Sequence, residues 1–148
     1  YTGLRFKDAQ NLRMESIVKN KASSLIRLKQ EKTDEYVELV ILKPAQKIIE
    51  RYNNAERKIT GKVLPQISNQ KVNSYLKVIA EMIGLKKELT HHVARHTCAT
   101  TVLLSNDFPI EVVSKWLGHN SIRSTQVYGK ITNKYMQEHA DRLNKTLK

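Results

Sequence analysis

The sequence predicts a single α+β domain that is mostly helical and carries a small antiparallel β-hairpin at one edge. Over most of the chain, apolar residues recur at intervals of three and four, which is typical of helices that bury one face. Residues 23–42 instead gather β-branched and aromatic residues on both sides of a polar break. The length of 148 residues suits about one domain with one core.

The first predicted elements are a short helix and the hairpin. Apolar spacing over 4–12 predicts a helix with Arg5 in its first turn. The polar break at 32–35 predicts the turn of the hairpin, with Lys32 beside it.

The rest of the chain is predicted to be helical, apart from a loop through Gly61 and Pro65 and a short turn that carries Tyr128. Ser68 and Gly84 are suitable residues to begin and end the helix with the clearest apolar periodicity. The predicted helices run from about Pro44 to Asn53, over 69–83, over 91–106, from Pro109 to Gly118 and from about Asn133 to Leu147. The last one carries a narrow apolar stripe, which predicts that it docks on another surface.

Charge and hydropathy restrict the class of partner and the compartment. Lysine and arginine number 26 against 14 acidic residues, a net charge of +12 that favours nucleic acid or an anionic membrane surface. The longest apolar run is four residues, 39–42, far short of the ~18 that a membrane-spanning helix needs. With no secretory signal pattern and a single cysteine, Cys98, the sequence predicts a cytoplasmic protein that neither crosses a membrane nor contains a disulfide.

The densest cluster of chemically active residues is the segment HHVARHT. His92 and His96 have the i, i+4 spacing of a helical metal-ligand pair, but Arg95 on the same face would repel a divalent cation. An arginine fork beside histidines suits a phosphate instead. The sequence therefore predicts an anion site here and no metal.

This segment belongs to an ordered set of motifs that spans most of the chain. TGLR precedes the hairpin segment QEKT, HHVARHT follows, and LGH lies nine residues before a tyrosine. The order resembles the catalytic domain of the tyrosine recombinases, the phage integrase family, and implies their DNA breaking and rejoining fold over residues 1–148. The candidate catalytic residues are Arg5, Lys32, His92, Arg95, His119 and Tyr128.

The resemblance implies site-specific DNA recombination, such as integration or excision of a mobile element or prophage in a bacterium. Tyr128 would attack a backbone phosphorus and form a 3′-phosphotyrosyl intermediate. Arg5 and Arg95 would stabilise the charge on the non-bridging oxygens. The partners implied are double-stranded DNA and further protomers, which form a tetrameric synapse in the full-length protein.

The remaining candidates have roles in proton transfer and phosphate binding. The resemblance implies that His92 acts as acid or base near the tyrosine, that Lys32 protonates the departing 5′-oxygen, and that His119 donates a hydrogen bond to a phosphate oxygen. Because the basic side chains supply the positive charge that a metal would otherwise provide, no cofactor is expected.

The sequence departs from the family at several positions. Ala94 and Cys98 stand where leucine and phenylalanine are common, which predicts a slightly smaller local core. Asp8 stands where glutamate is common. Tyr1 opens the chain inside a segment that normally leads into the first motif, so we expect a catalytic fragment without the upstream core-binding and arm-binding domains.

Two other functions are compatible with this pattern. One is a DNA-binding relative without catalysis, and the other is an enzyme resembling type IB topoisomerases. Retention of both Arg95 and Tyr128 argues against the first, and the compact spacing from His119 to Tyr128 argues against the second. Tyr135 is the nearby competitor for the nucleophile, while His91 and His96 are candidates for supporting the site or for plain packing.

Overall fold

The computed structural model describes residues 1–20, 23–31, 34, 36–129 and 133–147. It is mostly helical and carries a small antiparallel sheet, so the predicted α+β class is confirmed. The elements are α1 (Phe6–Asn11), a 3₁₀ turn (Met14–Ser16), β1 (Ile17–Lys19), β2 (Ser24–Lys29), β3 (Tyr36–Val40), α2 (Lys43–Arg51), α3 (Ala55–Thr60), α4 (Asn69–Met82), α5 (His91–Thr97), α6 (Ile110–Leu117), α7 (Arg123–Gln126) and α8 (Asn133–Thr146). In these described ranges no helix is long and apolar enough to cross a membrane.

The sheet follows from an alternating pattern in its hairpin. β2 and β3 pair antiparallel, with Ile26 opposite Leu39, and alternate residues of β3 are buried. β1 adds a third strand at the edge, where Ile17 pairs with Ile26. The sequence did not predict this strand, because three half-exposed residues carry no alternation that could reveal it.

The core joins the sheet to the helices of the second half of the chain. Helix α5 continues through a π-helical segment (Cys98–Leu103) and a 3₁₀ turn (Leu104–Asn106), in place of one regular helix over 91–106. The side chains of the core with less than 2% exposure include Ile26, Val37, Leu39, Val63, Leu103, Val113 and Leu117. This packing sets the hairpin directly against α6.

Helix ends follow the local sequence signals. Ser68 accepts a hydrogen bond from the Lys71 N–H, and Gly84 follows the end of α4 with a positive φ. The loop predicted through Gly61 contains the short helix α3, which Asn54 caps and which the left-handed Gly61 ends. The only apolar residues of α3 are Ala55 and Ile59, which are too few to show a helical period.

Several helices leave apolar residues exposed, α4 and α8 among them. On α4, Tyr75 and Met82 are exposed, and on α8 the stripe that includes Met136, Leu143 and Leu147 is exposed as well. Within the described part of this chain the α8 stripe is uncovered, so its docking stays a prediction.

The turn after α6 needs glycine for two reasons, and a matched pair of variants separates them. Gly118 and Gly84 both have φ of +66°, but a Cβ at Gly118 would lie 2.5 Å from Gln30 Oε1 and Val37 Cγ2, whereas nothing lies within 4 Å at Gly84. We expect Gly84→Ala to cost the ~1–2 kcal/mol of a left-handed backbone, and Gly118→Ala to cost a further ~1–3 kcal/mol from overpacking. Urea unfolding measures both, and equal losses would contradict the packing contribution.

Candidate catalytic site

The site is built around the C-terminal end of α6. Gly118 adopts a left-handed conformation, and the His119 N–H bonds back to the Ser114 carbonyl, which closes the helix with a Schellman motif. The carbonyls of Leu117 and Gly118 are then left pointing out of the helix end, where partial negative charge collects. This end of the helix therefore attracts cations.

Arg95 is the first cation at this end. Thr90 caps α5 by accepting the Val93 N–H, and the helix carries Arg95 into the protein, where it is 6% exposed. Its guanidinium donates to the carbonyls of Gly3 at 2.5 Å and Leu117 at 2.8 Å. These two bonds hold the N-terminal segment, α5 and α6 together.

Arg5 lies beside it and uses the adjacent carbonyl. It donates to Gly118 O at 3.4 Å and to Gln30 Oε1 at 2.5 Å. Burial and, second, repulsion by Arg5 lower the pKa of Arg95, while Tyr128 acts in the opposite direction. Two guanidinium groups held this close form a site that an anion would stabilise.

His119 follows the same turn and is fixed by a partner on α7. Its Nδ1 lies 2.7 Å from the hydroxyl oxygen of Thr125, a fully buried residue. Burial, with repulsion from Arg95 and Arg5, lowers the pKa of His119 to about 4. The ring is therefore neutral at physiological pH and carries a single N–H donor.

The lowered pKa of His119 predicts a measurable titration. In the folded protein its Cε1–H resonance should shift with a midpoint near pH 4, whereas the chain in urea should titrate near the ordinary ~6.5. Between these values the unfolded chain binds more protons, so this histidine lowers the stability of the fold as pH falls from ~6.5 towards 4. NMR, with the resonance assigned by comparison with His119→Asn, provides the check, and a native midpoint near 6.5 would contradict the prediction.

Tyr128 comes just after α7, and two histidine rings surround it. The His119 ring stacks at 6.2 Å between centroids, and the His96 ring meets it edge-on at 4.5 Å. Its backbone N–H donates to the Thr125 carbonyl. Thr125 therefore both orients His119 and fixes the turn that carries Tyr128.

Comparison with known proteins identifies the family. The family model described as "Phage integrase family" matches residues 1–135. The chain belongs to the phage integrase family. Among its relatives, this integrase-family chain is 32% identical to a tyrosine recombinase of Pseudothermotoga lettingae, over 99% of this chain and 51% of the relative. It is 28% identical to the tyrosine recombinase XerC of Oceanobacillus iheyensis, over 93% of this chain and 48% of the relative.

Solved structures show the same fold. The XerA recombinase superimposes with a TM-score of 0.76 at 23% identity, covering 96% of this chain and 54% of that one. The XerH recombinase bound to its difH substrate before cleavage superimposes with a TM-score of 0.73 at 19% identity, covering 95% of this chain and 43% of that one. This integrase-family chain thus spans about half the length, or less, of the proteins it matches.

His92 is not brought into the contacts around Tyr128. It is exposed on the first turn of α5 and, among the described residues, makes no hydrogen bond or ring contact. His91 packs edge-on against Phe6 at 5.5 Å. His96, which the sequence left open between supporting the site and packing, is the histidine of α5 that touches the tyrosine.

The sequence also drew attention to five other residues of this integrase-family chain. Lys32 lies outside the described residues, and so does the side chain of Tyr135. Asp8 is buried, and its Oδ1 accepts the Glu31 N–H at 3.3 Å, which fixes the backbone directly after Gln30. Ala94 is exposed, so only the buried Cys98 bears on the predicted change in the core.

Sequence reasoning missed two residues of the site. Gln30 bridges Arg5 and the Leu117 carbonyl, and Thr125 holds His119. Gln30 lies two positions before Lys32 and Thr125 three before Tyr128, so closeness to candidate residues was the available signal. Polar residues in a hairpin and a turn read as solvent-exposed until the packing is known.

Proposed function

We propose that residues 1–148 form the catalytic domain of a site-specific DNA recombinase that cleaves and rejoins strands through a 3′-phosphotyrosyl intermediate at Tyr128. The observation that carries this is the meeting of two arginines, His119 and Tyr128 at the end of α6. Their positions in the sequence are far apart, so only the fold joins a nucleophile to a double-cation site.

The proposed cleavage step balances without a nucleotide cofactor. The Tyr128 oxygen forms a bond to the scissile phosphorus, and the bond from phosphorus to the 5′-oxygen breaks. By the family resemblance, His92 takes the phenol proton, although it lies outside the contacts of Tyr128 in this structure, and Lys32 gives a proton to the departing 5′-oxygen. Rejoining is the reverse step, in which a 5′-hydroxyl attacks the phosphotyrosine.

The arginines suit the charge that develops during this step. A guanidinium has five N–H donors, and in the described structure Arg5 and Arg95 each use two groups on neighbouring protein oxygens. Remaining donors are free to bind non-bridging phosphate oxygens. The pentacovalent transition state carries more negative charge than the ground-state diester, so two guanidinium groups that repel each other would stabilise the transition state more.

His119 has a matching arrangement for a neutral donor. With its Nδ1 held by the Thr125 hydroxyl, its Nε2 is the nitrogen left to meet the phosphate. If Thr125 donates to Nδ1, the single proton of the neutral ring lies on Nε2 and can be donated to a phosphate oxygen.

The proposed substrate is double-stranded DNA, exchanged in a tetrameric synapse of the full-length protein. The setting we propose is integration or excision of a mobile element in the bacterial cytoplasm. The net charge of +12 suits a DNA backbone. Two solved structures support this choice: XerH bound to difH substrate, and the Tn1549 transposon integrase in complex with circular intermediate DNA. The integrase matches with a TM-score of 0.61 at 18% identity, covering 96% of this chain and 56% of that one.

Covalent capture tests the proposal directly. The chain is incubated at low salt with a random-sequence library of duplexes, nicked so that the cleaved end diffuses away. We expect a protein-DNA adduct that survives denaturant, carries the protein on a 3′-phosphate and leaves a 5′-hydroxyl. DNA binding without any adduct would instead support the non-catalytic relative.

A further inference from the structure

Gln30 is a buried amide at the centre of the site. It directly follows β2 and is 1% exposed, an unusual state for a glutamine in a hairpin. Its Oε1 accepts from Arg5 at 2.5 Å, and its Nε2 donates to the Leu117 carbonyl at 3.1 Å. The amide therefore uses both ends, and its orientation is set by a donor on one side and an acceptor on the other.

The Leu117 carbonyl is the point where the two arginines are linked. Arg95 donates to it at 2.8 Å, so this oxygen accepts from both Gln30 and Arg95. Arg5 in turn binds Gln30 and the next carbonyl, Gly118 O. One amide thus ties Arg5 to the helix end that also holds Arg95.

The space around this amide is tightly filled. A Cβ on Gly118 would lie 2.5 Å from Gln30 Oε1, so the amide packs directly against the turn after α6. It also lies two positions before Lys32 on the same chain segment. A shift of the hairpin therefore moves the acceptor that holds Arg5.

We propose that Gln30 is a positioning residue that holds the Arg5 guanidinium for the scissile phosphate and couples it to the hairpin. The inference rests on the proposed function. An uncharged acceptor suits this role, because a carboxylate in its place would cancel the charge of Arg5 and repel the phosphate. It would also set an oxygen against the Leu117 carbonyl, where Nε2 now donates.

The test uses Gln30→Met, which keeps the volume without hydrogen bonds, and Gln30→Glu, which keeps the shape but adds charge. Adduct formation is timed on nicked duplexes that carry either a normal phosphate or a neutral methylphosphonate at the scissile position. Arg5→Ala sets the scale for loss of the guanidinium. Gln46→Met, a change at an exposed glutamine of α2, is the control.

We expect both Gln30 variants to form adduct about 10- to 100-fold more slowly on the normal phosphate, as misplacement of a catalytic group does. The neutral methylphosphonate needs less positive charge for its cleavage. On this substrate the adduct-formation rates of both Gln30 variants, like that of Arg5→Ala, should therefore lie closer to the wild-type rate. Gln46→Met should match the wild type on both substrates.

Other outcomes overturn the inference. An equal deficit on both substrates, or unfolding of both Gln30 variants at the assay temperature, would show a purely structural role. Wild-type rates in Gln30→Met would show no role at all. Failure of the wild-type chain to form any adduct would instead refute the proposed function, so the two failures are distinguishable.

Discussion

Tyr128→Phe should abolish the covalent protein-DNA adduct while leaving the fold and DNA binding unchanged. The phenol oxygen makes no hydrogen bond within the described residues, and phenylalanine keeps the ring contacts with His96 and His119. Only the nucleophile is removed, so no slower route to the same adduct remains. Denaturing gels after reaction with nicked duplex measure adduct, and a gel shift measures binding.

The matched control is Tyr135→Phe, a change in the competing tyrosine at the head of α8. It should form adduct at the wild-type rate. If Tyr135→Phe forms no adduct while Tyr128→Phe still does, Tyr135 is the nucleophile and the assignment to Tyr128 is wrong.

Arg95→Ala should have the second large effect, on stability and on chemistry together. The substitution removes two hydrogen bonds and leaves the buried carbonyls of Gly3 and Leu117 without this partner. The Leu117 carbonyl keeps its bond from Gln30, so the unsatisfied Gly3 carbonyl should make unfolding easier by ~1–3 kcal/mol. At temperatures where the variant is folded, adduct formation should still fall by about 10²- to 10³-fold, the loss typical of a donor to a developing oxyanion.

Arg57→Ala separates these two effects. Arg57 is also a buried arginine, at 7% exposure, and it donates to the carbonyls of Ile49 and Val63, remote from the α6 end. The Arg57→Ala variant should therefore lose about as much stability as Arg95→Ala, yet form adduct at the wild-type rate when folded. If both variants slow the chemistry equally, the role of Arg95 is structural alone.

Local patterns were sufficient for the longer helices and the hairpin. Apolar spacing predicted α4, and its cap Ser68 lies where the sequence indicated. The β-branched and aromatic residues on both sides of a polar break similarly indicated the hairpin that contains β3. Strand β1 and helix α3 were missed, because neither has enough apolar residues to show a period.

The sequence by itself determined the helical class, the positive charge and the family, because motif order and residue chemistry are properties of the chain. It also brought forward Arg5, Arg95, His119 and Tyr128 as candidates, but not how they are held. Only the tertiary structure decided that His96 touches the tyrosine and that Gln30 joins the arginines through Leu117. The physical reason is that backbone carbonyls without a partner inside the helix bind groups that are near in space, which the spacing of residues along the sequence does not record.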